Sequence, residues 1–209
     1  MKTLIFILLI FLVFAGFSRL QAQVEANAPN RVVPGAYQMN EYLPLLRGRN
    51  VAVTGNPTSM IGNRHLVDTL LSRNIRVVKI FGPEHGFRGD ASDGALIENS
   101  QDQTTGLEVI SLYGDHRKPT AQDMKGIDIM IFDIQDVGCR FYTYISTLTY
   151  ILEACAVYKV PLIILDRPNP NGYYIDGPVL ESKFTSFVGM HEVPIVYGMT
   201  IGEYAMMVN

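Results

Sequence analysis

Cysteine is scarce in this chain, with Cys139 and Cys155 the only two in 209 residues. Two thiols cannot supply a disulfide framework. One follows a strand-like run and the other falls on a helix-like segment, so they read as two buried, unbridged thiols. No block of basic residues occurs either: Lys and Arg number 17 against 20 Asp and Glu, for a formal net charge of −3. That balance excludes a nucleic-acid partner from the expectations. The first strand-turn, Thr54-Gly55-Asn56-Pro57-Thr58, lacks the glycine triplet that lets a dinucleotide pyrophosphate approach a helix start, and no P-loop lysine motif is present. No cofactor is therefore expected. A Gly-x-Ser-x-Gly nucleophile elbow is missing, which weighs against a serine hydrolase. His85, Asp90, Asp93, His116 and His191 carry ligand atoms but stand at none of the familiar metal-ligand spacings, so no metal site is expected. Internal repeats and low-complexity tracts are absent too.

Long apolar runs are confined to the amino terminus. Lys2 precedes an unbroken apolar stretch over 4–14, followed by the polar segment Ser18-Arg19-Leu20-Gln21-Ala22-Gln23. This is the pattern of a secretory signal peptide over 1–22, cleaved after Ala22 or Gln23. The run is short for a membrane span, and without a cysteine it offers no lipid anchor. Removing it takes away Lys2 and Arg19 but no acid, so the mature chain is more acidic still. The expectation is an exported protein, periplasmic or extracellular, with no stable membrane span after cleavage.

Residues 23–36 show no periodicity and read as a flexible lead-in to one domain over 37–209. A first helix is expected over 37–46. Strands and helices then alternate. Buried strands are expected over 51–54, 75–81, 107–112, 127–134 and 160–165. Between them, Leu66, Val67, Leu70 and Leu71 give a helical face that Asn74 can end; 120–125 reads as a short helix, and 144–158 carries Ile145, Leu148, Leu152 and Cys155 along one side. The polar stretch 82–106, with Asp90, Asp93 and Glu98, reads as an extended loop. Residues 200–209 begin as a helix and stop without a capping glycine, which suggests a truncated end. Near-continuous apolar strands separated by amphipathic helices indicate an α/β fold, a Rossmann-like parallel sheet with helices on both faces.

The run Phe81-Gly82-Pro83-Glu84-His85-Gly86-Phe87-Arg88-Gly89 concentrates ionisable groups among glycines just after a strand. A plain turn needs the glycines but not an acid, an imidazole and a guanidinium together. Ligands of parallel α/β sheets bind at the carboxyl ends of the strands, so such a loop reads as an active-site wall. The same edge would collect Asn56 and Thr58, then Tyr113 and His116, then Asp133, Gln135 and Asp136, then Asp166, Arg167 and Asn169. Some of these must be structural: Asp133 can cap or hold a loop, and Asp166 can fix the Pro-rich turn through backbone amides. Tyr142 and Tyr144 suit either sugar stacking or packing.

Four motifs in order, FGPEHGFRGD, DIQDVGCRFYTYISTL, LDRPNPNG and HEVPIVYGMTIGEYA, resemble the exo-β-N-acetylmuramidase (NamZ-type) family of peptidoglycan glycosidases. The resemblance runs from about Val51 to the last residue. It implies a Rossmann-like N-terminal domain and a smaller C-terminal domain flanking an active-site cleft, with the second domain missing here. It also implies removal of N-acetylmuramic acid from the non-reducing end of cell-wall fragments, with muramyl saccharides as the partners. The family's glutamate falls on Glu84. A glycosidic oxygen leaves poorly until protonated, so a carboxylic acid in an apolar neighbourhood, here Phe81, Pro83 and Phe87, suits that role. Its partner could be Asp133, Asp136 or Asp166, or the acetamido oxygen of the substrate itself. The lactyl carboxylate of the sugar calls for a guanidinium, offered by Arg88, Arg140 or Arg167; Arg140 could equally pair with Asp136. His85 could orient Glu84 or meet a hydroxyl. Asn56 and Asn169 suit hydroxyl or acetamide recognition, and Asp136, Tyr142 and Asp166 complete the expected substrate-binding set. Two other classes remain beside the glycosidase: a non-catalytic wall-sugar-binding module and a metal-dependent hydrolase.

Overall fold

Five short apolar runs, four of them largely buried and the edge strand Leu162–Ile164 half-buried, pair side by side, and their order places the polar strand tips on one edge. The computed structural model describes residues 32–89 and 99–209. The signal peptide expected over 1–22, most of the lead-in over 23–36, and Asp90, Asp93 and Glu98 lie outside the described residues. The parallel strands are β1 (Val51–Gly55), β4 (Val77–Gly82), β6 (Glu108–Ser111), β7 (Ile129–Asp133) and β8 (Leu162–Ile164), standing side by side as β6-β4-β1-β7-β8. That order reverses direction at β1, as in doubly wound α/β sheets, and the crevice between β1 and β7 is the topological switch point.

Two elements depart from the expectations. Within the polar stretch read as loop, β5 (Ser100–Gln101) pairs antiparallel with β6 and forms one edge of the sheet. Past β1, the strands β2 (Met60–Ile61) and β3 (Arg64–His65) make a small separate hairpin. Each is only two residues long, too short to impose a periodic pattern on the sequence.

The helices are α1 (Met39–Leu46), α2 (Leu66–Ser72), α3 (Ala121–Met124), α4 (Tyr144–Tyr158) and α5 (Ile201–Val208), with single 3-10 turns at Gly35–Tyr37 and Ser182–Phe184. Strand alternation sends side chains to opposite faces. Val51, Val53, Ile80, Ile129 and Ile131 pack with Tyr42 and Leu46 of α1 and Leu66 and Leu70 of α2. Ala52, Phe81, Met130 and Phe132 pack with Ile145, Leu148 and Ile151 of α4 and Tyr204 of α5. Both faces are thus covered, which is why these strands read as apolar throughout rather than alternating. Both cysteines are free; Cys155 is buried, and burial pushes its thiol up to about 12, whereas Cys139, expected to be buried as well, is only half-buried. Among the described residues no helix is long and apolar enough to cross a membrane.

Candidate active site

β4 runs out at Gly82 into a tight turn, closed by a bond from Gly86 N to the Pro83 carbonyl at 3.0 Å. His85 sits in this turn at φ 70°, in the left-handed region that side-chain-bearing residues rarely occupy. Such a conformation costs on the order of 1–3 kcal/mol and persists where neighbours over-determine it. Here the neighbours are evident. Phe87 meets His65 edge-on at 4.4 Å between centroids, and Arg88 forks between two carboxylates, Asp68 at 2.8 Å and Asp102 at 2.6 Å. His65 in turn holds the next strand tip, its Nε2 standing 3.0 Å from the Asn56 carbonyl. The loop carrying Glu84 is therefore pinned on its C-terminal side by packing and by a charged fork.

Glu84 and His85 are half-buried and line a hollow of about 240 Å³ together with Phe141, Tyr142, Thr143 and Tyr144. Thr143, the residue before α4, donates from its hydroxyl to Glu84 Oε2 at 3.3 Å. Tyr113, from the loop after β6, shares a hydrogen bond with Glu84; that bond and the Glu84 charge hold its phenol above the ordinary range, while the Arg117 charge pulls the other way. A further hydrogen bond joins the Tyr144 hydroxyl to the Asn56 side chain, although burial keeps the Tyr144 phenol above its usual range. Four strand tips, those of β1, β4, β6 and β7, thus contribute to one cleft beside the switch point. A larger hollow of about 670 Å³ lies among α4, β8 and α5, lined by Leu152, Cys155, Val160, Leu162 and Met206 among others. It shares no residue with the Glu84 cleft, and its acids Asp166 and Glu203 bond to the start of α5. Chemistry, not size, singles out the smaller hollow.

The remaining expected site residues are distributed unevenly. Tyr142 is exposed at the rim of the cleft beside Phe141. Asn56 is buried; besides meeting Tyr144, its Oδ1 accepts from Thr58 N at 2.9 Å and shapes the turn after β1. Arg88 gives its guanidinium to Asp68 and Asp102, which raises it above the usual arginine range and draws Asp102 down to about 2. Arg140 donates to the carbonyls of Pro178 and Val193, and no ion pair joins it to Asp136. Asp136 is buried and accepts from Tyr197 Oη and from Gly138 N; burial pushes this carboxyl up. Arg167 and Asp133 form a two-pronged buried pair at 2.6 and 2.9 Å. Burial pushes Asp133 up, and the guanidinium opposes that shift.

Asp166 accepts from Gly202 N at 2.8 Å and Thr200 Oγ1 at 2.7 Å, fastening the start of α5 to the tip of β8. A side chain on Gly202 would place its Cβ 2.7 Å from the Asp166 carboxyl carbon, so any larger residue there would displace that carboxyl. Asn169 donates to the Met199 carbonyl at 2.8 Å and accepts from Asn171 N. These contacts tie the loop after β8 to the start of α5, beside the larger hollow rather than the Glu84 cleft. Sequence reasoning overlooked Thr143, an ordinary helix-start residue by pattern, and His65, whose role depends on a contact 22 residues away in sequence at Phe87.

The histidines do not converge. His116 Nε2 stands 2.9 Å from Asp123, His191 bonds to Thr149 at 3.1 Å, and His85 lines the cleft. Among the described residues no three His, Cys, Asp or Glu groups form a cluster able to hold a metal ion.

Comparison with known proteins gives a consistent result. A family model described as "Exo-beta-N-acetylmuramidase NamZ, N-terminal" matches residues 51–209. A curated relative, "Peptidoglycan beta-N-acetylmuramidase NamZ" of Bacillus subtilis (strain 168), is 45% identical over 172 residues, covering 81% of this chain and 42% of its own length. Two crystal structures of DUF1343 family proteins from Bacteroides fragilis NCTC 9343 are similar to it. One has a TM-score of 0.76 and 48% identity over 84% of this chain and 46% of its own. The other has a TM-score of 0.79 and 41% identity, over 87% and 47% respectively. The chain thus spans less than half the length of these relatives.

Proposed function

The chain belongs to the NamZ exo-β-N-acetylmuramidase family, whose N-terminal part it matches, and we propose that the full-length protein is an exported glycoside hydrolase releasing N-acetylmuramic acid from the non-reducing end of peptidoglycan fragments. The observation that carries this reading is Glu84, a carboxyl group in a cleft at the strand tips, held by hydroxyls from two other loops and rimmed by exposed aromatic rings. Sugar rings pair apolar faces with hydroxyl edges, a surface that Phe141 and Tyr142 suit by stacking and that Tyr144 and His85 suit by hydrogen bonding, while buried Asn56 holds the Tyr144 hydroxyl in place.

In this mechanism Glu84 in its acid form gives its proton to the glycosidic oxygen as the bond to C1 breaks. Asp133, Asp136 and Asp166 each serve internal partners, and among the described residues no second carboxylate lines the cleft. The acetamido oxygen of the sugar attacks C1 as the glycosidic bond breaks, giving a cyclic oxazolinium ion. Water then adds at C1, passing its proton to the Glu84 carboxylate and restoring the acid. Two inversions give net retention.

The test is incubation of full-length protein with a disaccharide of N-acetylmuramic acid linked β-1,4 to N-acetylglucosamine, followed by proton NMR. Release of muramic acid with the β anomer formed first is the expected result. No release defeats the activity, and an initial α anomer defeats the acetamido route.

A further inference from the structure

A cation is the natural partner for the lactyl carboxylate that sets muramic acid apart from glucosamine, and the three arginines that the motifs suggest are all occupied. Arg88 is held by two carboxylates, Arg167 by Asp133, and Arg140 by two backbone carbonyls. A fourth guanidinium stands close enough to Tyr113, the partner of Glu84, for its charge to act on that phenol. Arg117 Nε donates to the Gly114 carbonyl at 2.8 Å, and Gly114 follows Tyr113, the residue hydrogen-bonded to Glu84. The guanidinium lies over the Phe187 ring at 4.6 Å, and Phe187 is itself stacked on Tyr150 of α4 at 5.9 Å. The Phe187 carbonyl is further tied down by Ser146 Oγ at 2.6 Å. Arg117 is exposed, and among the described residues no carboxylate pairs with it.

We propose that Arg117 is the specificity-determining residue of the cleft, its free Nη edge receiving the lactyl carboxylate of the muramyl ring whose glycosidic bond faces Glu84. The inference rests on the glycosidase reading of the site. Arginine matches a carboxylate through two parallel N–H donors, and its planar group stacks on an aromatic face without losing them. Holding the guanidinium in place by the Gly114 bond and the Phe187 ring lowers the ordering cost paid at binding. Its neighbour Lys118 is paired with Glu153 at 2.6 Å and does not compete for the ligand.

Full-length wild type, Arg117→Gln and Arg117→Lys are compared on 4-nitrophenyl β-N-acetylmuramide, on its lactyl methyl ester and on the corresponding N-acetylglucosaminide. Arg117→Gln is expected to lower kcat/KM for the free acid by about 10- to 100-fold, mainly through KM, and to leave the ester and the glucosaminide within about twofold. Arg117→Lys, which keeps the charge but not the fork, is expected to fall between. An equal loss on all three substrates, or no loss on the acid, overturns the proposal. Calorimetric binding of free N-acetylmuramic acid and N-acetylglucosamine to the Glu84→Gln protein, with and without Arg117→Gln, needs no turnover. Selective loss of muramic acid binding there supports the role of Arg117 even if hydrolysis is never observed, in which case only the glycosidase reading fails. Unchanged binding overturns the proposal.

Discussion

The Thr143 hydroxyl donates to Glu84 Oε2 at 3.3 Å, linking the start of α4 to the loop after β4. This distance is long for a hydroxyl–carboxylate bond, so the contact is a weak positioning tie rather than a strong clamp. Thr143→Val is expected to lower kcat about two- to tenfold with KM little changed, and Thr143→Ser to restore it. Steady-state kinetics of both variants checks this; a loss shared by Ser and Val points to packing instead.

Arg167 and Asp133 bind at 2.6 Å with side chains 8% and 0% exposed. Removing one partner strands the other charge in the core. Arg167→Met should therefore destabilise the fold by about 3–5 kcal/mol, whereas Arg167→Met with Asp133→Leu should recover much of that loss. Denaturant midpoints of the single and double variants decide between them.

His65 titrates below its ordinary range because burial disfavours the imidazolium, an effect that outweighs its bond to Asn56. Its folded value lies below its unfolded one, so the unfolded chain binds more protons between them. The His65 contribution to stability is present above the unfolded pKa and is lost as pH falls through the folded value. Melting temperature is expected to drop as pH falls below about 6.5, the unfolded value, and His65→Asn, which can still cap α2, should make that slope shallower. His191 is shifted the same way by burial, so the difference between wild type and variant isolates His65. An identical slope in the variant contradicts this assignment.

Much of the sheet was legible because its strands are buried on both faces and stand out as apolar runs; α4 occupies the expected residues 144–158. The hairpin and β5 were not, since two-residue strands carry no pattern. Within the site, the position of Glu84 at a strand tip could be read from glycine and proline punctuation after β4. The fates of Arg88, Asp136 and Arg167 could not. A guanidinium or carboxylate looks the same in sequence whether it meets a ligand or an internal partner, and the partners Asp68, Tyr197 and Asp133 are 20, 61 and 34 residues distant. Tyr113 could be placed at the strand-tip edge, but neither its bond to Glu84 nor that of Thr143 could be read, because both arise only where the tips of β6, β4 and β7 converge.

The central claim is that Glu84 protonates the leaving oxygen, and the most direct measurement compares Glu84→Gln with wild type on two substrates of the full-length protein. On the N-acetylmuramic acid–N-acetylglucosamine disaccharide, whose leaving group needs a proton, kcat should fall by about 10²–10⁴-fold. On 4-nitrophenyl N-acetylmuramide, whose leaving group departs as a stable anion, the bond-breaking step should be far less impaired. Near-wild-type hydrolysis of the disaccharide by Glu84→Gln would contradict the account.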